Sequence, residues 1–281
     1  MALSILTNVA SMTAQRNVNA TSEALANSIN KLSSGMRINN ASDDAAGLGI
    51  SQNLKANIRS MAQAQRNAND GISLSQVAEG GMNQMQNIVS RMRELAVQSA
   101  NSTLGNTERG YIQTEFTELS AEINRIGSVT EFGGQKLLDG SASAGLTFQV
   151  GIQNTANDRL SLAITKLGTD TLGSASLHVA SASLSTAANA QTAIAVFDKA
   201  ITQLSSARAK VGASQNRMQV TISNLSVAQE NLAAANSRIT DVDVASETAS
   251  LTKSQILSQA GMAVLSQANQ IPQSALSLLR G

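Results

Sequence analysis

The sequence predicts a mainly α protein: long antiparallel helices packed as a coiled-coil-like bundle, with one small β-hairpin region. Three observations carry that prediction. From Ile194, alternating steps of three and four residues meet Phe197, Ile201, Leu204, Arg208, Val211, Gln215, Met218, Ile222, Leu225, Gln229, Leu232, Asn236 and Ile239. Ten of these fourteen positions are apolar. A period of 3.5 sustained this long marks a helix packed along its length against another helix, a rod of roughly 70 Å at ~1.5 Å per residue. A matching seam runs through Leu54, Ile58, Met61, Ala68 and Ile72, and again through Met82, Met85, Val89, Met92 and Ala96. The third observation is composition. The 281 residues are 42% hydrophobic but only 2% aromatic, and 14% charged against about 25% in an average soluble domain. An interior of Ala, Leu, Ile and Met suits helices in close contact.

The elements follow in order. Val18, Leu25, Ile29, Leu32 and Met36 mark a first amphipathic helix. Ser42 is the expected N-cap of the second, with Asp43 and Asp44 complementing the helix dipole in its first turn. Gly80 and Gly81 interrupt the seam at about 1 kcal/mol each relative to Ala, but its phase recovers afterwards, so they read as a weak point inside the helix. Gly105-Asn106-Thr107 is the expected stop. A third helix proceeds through Tyr111, Phe116, Leu119, Ile123 and Ile126, with Gly127 ending it and Glu108, Glu115, Glu118 and Glu122 on its solvent side. Residues 147–152 and 159–165 alternate polar and apolar around QNTAND, the pattern of a β-hairpin. The Gly/Ser/Ala stretch 168–186 reads as a turn or short exposed excursion. After the long return helix, Asp243 follows Asp241 and Val242 at a helix start. The last amphipathic stretch runs through Ile256, Ala260, Ala263 or Val264, Ala268, Ile271 and the closing Leu276, Leu278 and Leu279. Pro272 predicts a kink or restart there, because its ring clashes with the carbonyl of residue 268 in a straight helix.

Composition excludes much chemistry. With no Cys there are no disulfides, zinc-cysteine sites or thiol reactions, and one His cannot form a His–His metal cluster. Lys+Arg of 20 against Asp+Glu of 19 offers no net charge to draw nucleic acid or anionic lipid. No phosphate loop, nucleophile elbow or paired-carboxylate site occurs. Gly47-Leu48-Gly49 lacks the third Gly and preceding strand of a dinucleotide fingerprint. Asp241-Val242-Asp243 lacks the remaining ligands of a calcium loop, and His178 reads as a solvated side chain. No catalytic residue, metal or cofactor is expected, nor a nucleic-acid or membrane partner. The opening residues carry no basic residue before Arg16, so no secretory n-region is expected.

The terminal residues become specific in longer strings. The run LTNVASMTAQRNVN, with LANSINKLSSGMRINNASDDAAGLGIS after it, resembles the opening of bacterial flagellins. So do MRELAVQSANST at 92–103, FGGQKLLDG at 132–140, and the closing ITDVDVASETASLTKSQILSQAGMAVLSQANQIPQSALSLLRG. Together they cover about residues 3–140 and 190–281.

The resemblance implies two domains. One is a discontinuous coiled-coil core domain of 1–42 plus 240–281. The other, 43–239, is a helical bundle with the hairpin near 146–165 and the short excursion near 168–186. The hairpin is followed almost at once by the return helix, as in a minimal flagellin lacking the large outer variable domains. The implied function is a structural subunit, not an enzyme, that polymerises head-to-tail with copies of itself into the secreted flagellar filament of motile bacteria. A hook–filament junction or adaptor protein of the same appendage, present in few copies, is the alternative. Leu3, Leu6, Leu25, Ile29, Leu32, Ile256, Leu265, Ile271, Leu276 and Leu279 are the expected filament-core packing residues. By the same resemblance the partners include an export chaperone, cap and hook-junction proteins, and a vertebrate Toll-like receptor reading Arg91, Leu95 and Glu115.

Overall fold

The structure, a computed structural model, describes residues 7–173 and 177–280, with backbone alone from 271 onward. Among the described residues it holds five long helices: α1 Val9–Ser34, α2 Ala45–Ser99, α3 Asn106–Val129, α4 Ala187–Thr240 and α5 Val244–Arg280. Two short antiparallel hairpins lie between α3 and α4. They are β1 Glu131–Phe132 with β2 Gln135–Lys136, and β3 Leu146–Gln149 with β4 Arg159–Leu162. The chain divides into two compact units, 1–58 with 230–281, and 59–229. The division thus falls inside α2 and inside α4.

The helix boundaries have local causes. Asn8 accepts from the Ser11 N–H at 3.0 Å and opens α1. Gly35, at φ 70°, closes it in the left-handed conformation that glycine adopts without strain. The cap of α2 is Asp44 rather than Ser42, because its Oδ1 accepts the Gly47 N–H at 2.8 Å. Asp43 instead folds the preceding loop, accepting the N–H groups of Asn40 and Asn39 at 2.9 Å each. Those two backbone donors hold its carboxyl below the ordinary value. At the far end of α2, the buried Arg109 donates from Nε to the Ser99 carbonyl and from Nη2 to the Asn101 carbonyl, both at 2.9 Å. A cation there complements the helix C-terminus. Asp243 caps α5 by accepting from Ala245 and Ser246. Gly127 does not end α3, which runs on to Val129.

The core of the 59–229 unit joins α2, α3, α4 and the connecting segments. Met82, Met85, Val89, Met92 and Ala96 are all at 0% exposure, as the second seam requires. Phe197, Leu204 and Val211 join them from α4, while Met218 packs in a second cluster with Ala68, Val150 and Leu160. Polar interruptions of the α4 seam are met from α2: Arg208 donates to Gln86 at 2.8 Å and Gln215 to Glu79 at 3.4 Å. With Arg93 and Asp198 paired at 2.6 Å, these contacts fix an antiparallel register. Tyr111 is not part of this core; its side chain lies 73% exposed on α3.

The segment 168–186 is not an exposed excursion where it is described. Leu172, Val179 and Leu184 are buried, and Val179 donates its N–H to the Leu172 carbonyl at 2.9 Å. Ser99 Oγ on α2 donates to the Leu184 carbonyl, and the Leu184 N–H donates to Gln113 on α3, so the stretch lies over the core. His178 is half-buried at its turn rather than fully solvated.

Gly80 and Gly81 separate in this setting. A Cβ at Gly80 would meet nothing within 4 Å, whereas one at Gly81 would lie 2.8 Å from Thr130 Oγ1 and 2.9 Å from Leu138 Cδ1. Thr130 Oγ1 is tied to the Ile126 carbonyl at 2.7 Å and yields little. Urea unfolding should therefore show Gly80→Ala stabilised by about 1 kcal/mol and Gly81→Ala destabilised by about 1–3 kcal/mol. Equal effects of the two changes would remove this explanation of the glycine pair.

Candidate assembly surface

The unit of 1–58 and 230–281 is built from α1 and α5 lying antiparallel. Their register is set at three levels. The Asn8 side-chain amide donates to the Ala268 carbonyl at 2.8 Å, and Ser11 Oγ donates to Asn269 at 2.7 Å. Midway, Val18 comes so close to Gly261 that a Cβ there would lie 2.8 Å from Val18 Cγ2. At the far end, the Val242 N–H donates to the Gly35 carbonyl at 3.1 Å and the Arg37 N–H to the Thr240 carbonyl at 2.6 Å. The Arg37 guanidinium adds a 2.8 Å bond to the Ile239 carbonyl.

Asn8 also explains why Pro272 does not end the helix. Proline lacks the N–H that would bond the carbonyl four residues earlier. That carbonyl belongs to Ala268, and it takes the Asn8 amide instead. The helix is unbroken from Val244 to Arg280, with no restart at 272.

The seam between α1 and α5 mixes small and large residues, with Val18 packed on Gly261 and Leu25, Leu32, Leu251 and Leu265 half-buried on the same heptad faces. Ala14, Ser28 and Ala268 are its buried members. A shallow groove runs alongside, lined by Ala14, Asn17, Ala20 and Thr21 from α1 and Leu257, Ala260, Gly261 and Val264 from α5. A second set of large apolar side chains is left uncovered: Val9, Met12, Ile29, Val244, Ile256, Leu257, Met262 and Val264 are 49–64% exposed. Fully burying a Val, Leu, Ile or Met side chain contributes about 1.5–3 kcal/mol, so half-exposed ones each hold on the order of 1 kcal/mol in reserve. A surface with this much uncovered apolar area is a contact surface.

Ile29 and Ile256 of the sequence-derived packing residues stand on this exposed surface. Leu25, Leu32 and Leu265 are half-buried. Leu3 and Leu6, and the side chains of Ile271, Leu276 and Leu279, lie outside the described residues. Sequence reasoning missed Val9, Met12, Leu257 and Met262. Their only signal is the i, i+3 spacing of Val9 with Met12 and the heptad from Leu257 to Val264.

The other group of candidate residues lies in the 59–229 unit. Arg91 bridges Glu115 at 2.9 Å and Glu94 at 3.2 Å on an exposed face of α2 and α3. The bonds to Glu115, then Glu94, push its guanidinium pKa further up. Exposed pairs of this kind contribute at most about 1 kcal/mol. Leu95 is 1% exposed and belongs to the core, so it does not share this exposed face with Arg91 and Glu115. Among the described residues no cluster of metal-ligating side chains is present, and no described helix is long and apolar enough to cross a membrane.

Comparison with known proteins adds two family matches. The pattern described as the bacterial flagellin N-terminal helical region matches residues 5–143, and the bacterial flagellin C-terminal helical region matches 194–279. The intervening 144–193 holds the β3–β4 hairpin and the stretch over the core. A flagellin of Halalkalibacterium halodurans is 44% identical over 273 residues, covering 97% of this chain and 98% of that protein. Polar flagellin A of Vibrio parahaemolyticus is 47% identical over 176 residues, 63% of this chain and 46% of that protein. The chain thus spans about half the length of the Vibrio relatives it matches. A solved structure assigned to a flagellar hook-associated protein of Vibrio parahaemolyticus shares the fold with a TM-score of 0.60 at 15% identity, over 71% of this chain and 100% of that one.

Proposed function

Since the chain belongs to the bacterial flagellin family, we propose that it is a structural subunit, not an enzyme, that polymerises head-to-tail into the helical flagellar filament used for motility. The observation that carries this reading is the set of large apolar side chains left about half-exposed on α1 and α5. Such a pair leaves apolar area for another surface. A head-to-tail contact that does not close on itself extends into an open helical polymer. Near-zero net charge, +1 for 281 residues, keeps repulsion between copies low. The filament places the protein outside the cell, so secretion belongs to the same proposal.

The same surface favours the filament over a junction protein present in few copies, because a polymer needs apolar area on every subunit. The test is electron microscopy of the purified chain after seeding. The full chain should form micrometre-long filaments, and a chain lacking 271–281, with the apolar residues Ile271, Leu276 and Leu279 removed, should stay folded and dispersed. Filaments formed equally well by the shortened chain would refute this assignment of the end residues. A full chain that stops at small oligomers would favour the junction reading.

A further inference from the structure

Eight of the nine methionines lie among the described residues, and their exposure differs sharply. Met82, Met85, Met92 and Met218, all in the 59–229 unit, are at 0% exposure and sealed in its core. Met36 and Met61 are half-buried. Met12 and Met262 stand 60% and 54% exposed, and both belong to the apolar surface of the α1/α5 pair. The antiparallel register puts them at nearby levels along the pair. Ser11 bonds Asn269 and Val18 packs on Gly261, so Met12 and Met262 differ in level by about six residues, roughly 9 Å along the axis.

We propose that Met12 and Met262 form an oxidation site that switches self-assembly off in the unassembled subunit. This rests on the filament reading above. A thioether is a flexible, polarizable apolar group suited to packing on a partner. Its sulfur lone pair attacks one oxygen of a peroxide. The S–O bond forms as the O–O bond breaks, and the released hydroxide takes a proton to leave as water. Sulfur is oxidised by two electrons and the peroxide is reduced by two. The product sulfoxide is polar and chiral, and it carries a strong acceptor oxygen into an apolar contact. In a contact with a second copy that oxygen must shed its water, and an acceptor buried without a partner disfavours the contact. A second copy seated on this surface would shield both sulfurs, so assembled protein should resist the reagent that disables free protein.

The experiment treats the full-length chain with dilute hydrogen peroxide before seeding, reads oxygen incorporation at each methionine by peptide mass spectrometry, and reads elongation by sedimentation. Met12 and Met262 should gain oxygen at least about tenfold faster than the four core methionines, in keeping with oxidation following exposure. Elongation should fall by about tenfold or more, equivalent to ~1.4 kcal/mol for each subunit added. The double variant Met12→Leu with Met262→Leu keeps the apolar contact without the thioethers, so peroxide should leave its elongation at the untreated variant's own rate. Methionine sulfoxide reductase should restore elongation of the treated wild-type chain. Uniform oxidation of all methionines, or unchanged elongation of the oxidised wild-type chain, would overturn the proposal. So would an equal fall in the double Leu variant. Failure of the untreated wild-type chain to elongate would instead count against the filament reading itself, and the rates of oxygen incorporation would still judge the site.

Discussion

A chain carrying Leu257→Glu and Val264→Glu will remain dispersed at concentrations where the unaltered chain forms filaments, and its melting transition will not move. The two residues are one heptad apart on α5 and 49% and 59% exposed. Changes at such positions alter folding stability by about 0.5 kcal/mol or less, and Glu is a good helix former, so α5 persists. Assembly responds differently. A carboxylate forced into an apolar contact without a partner costs several kcal/mol, and each subunit would carry two. Even about 4 kcal/mol at each interface raises the concentration needed for elongation on the order of a thousandfold. Sedimentation after seeding measures that shift, and calorimetry measures the melting transition. Filaments at the ordinary concentration would remove the α1/α5 surface from the interface.

Phe197→Ala should give the opposite pattern. Phe197 is fully buried in the 59–229 unit and stacks at 54° on Phe116 with ring centroids 5.9 Å apart. Truncating a buried Phe costs about 3–5 kcal/mol through lost transfer energy and the cavity left behind. In a unit of 171 residues (59 to 229), that corresponds to a fall of roughly 6–20 °C in Tm. The residues assigned to assembly lie in the other unit, so seeded elongation well below the new Tm should continue. Loss of elongation by a folded Phe197→Ala chain would show that the core and the assembly surface are not separable.

The sequence speaks most clearly where one face repeats. The heptads through 82–96 and 197–218 are the buried faces of α2 and α4 because a 3.5-residue period admits one packing direction over many turns. The hairpin alternation around 146–165 corresponds to β3 and β4, pairing Leu146 with Leu162 and Phe148 with Leu160. The smaller β1–β2 hairpin is visible only as Gly133 and Gly134, whose positive φ values of 59° and 82° suit a two-residue turn. The burial of 168–186 escapes a local reading because Gly, Ser and Ala carry no periodic signal. It comes from distant partners, Ser99 and Gln113, that no local pattern reveals. Tyr111 reads as a core residue for a similar reason: an aromatic near a helical seam resembles one until the register is known.

The candidate surface is legible in part for a related reason. All five aromatics fall between 111 and 197, which leaves α1 and α5 without large planar side chains. What the sequence could not show is which side of each helix meets the other. That choice depends on Gly261 admitting Val18, and on Asn8 capping α1 while taking the carbonyl that Pro272 leaves free. These contacts set which faces meet and leave Met12, Ile29, Ile256 and Val264 exposed.

The central claim is that α1 and α5 complete their burial on other copies of the chain, and amide hydrogen exchange before and after assembly tests it most directly. Amides in 82–96 and 197–218 should be protected in both states, because their burial is internal to the 59–229 unit. Those in 9–34 and 244–270 should exchange quickly in the dispersed chain and become protected in the sedimented polymer. Equal protection of α1 and α5 in the two states, or new protection confined to 59–229, would contradict it.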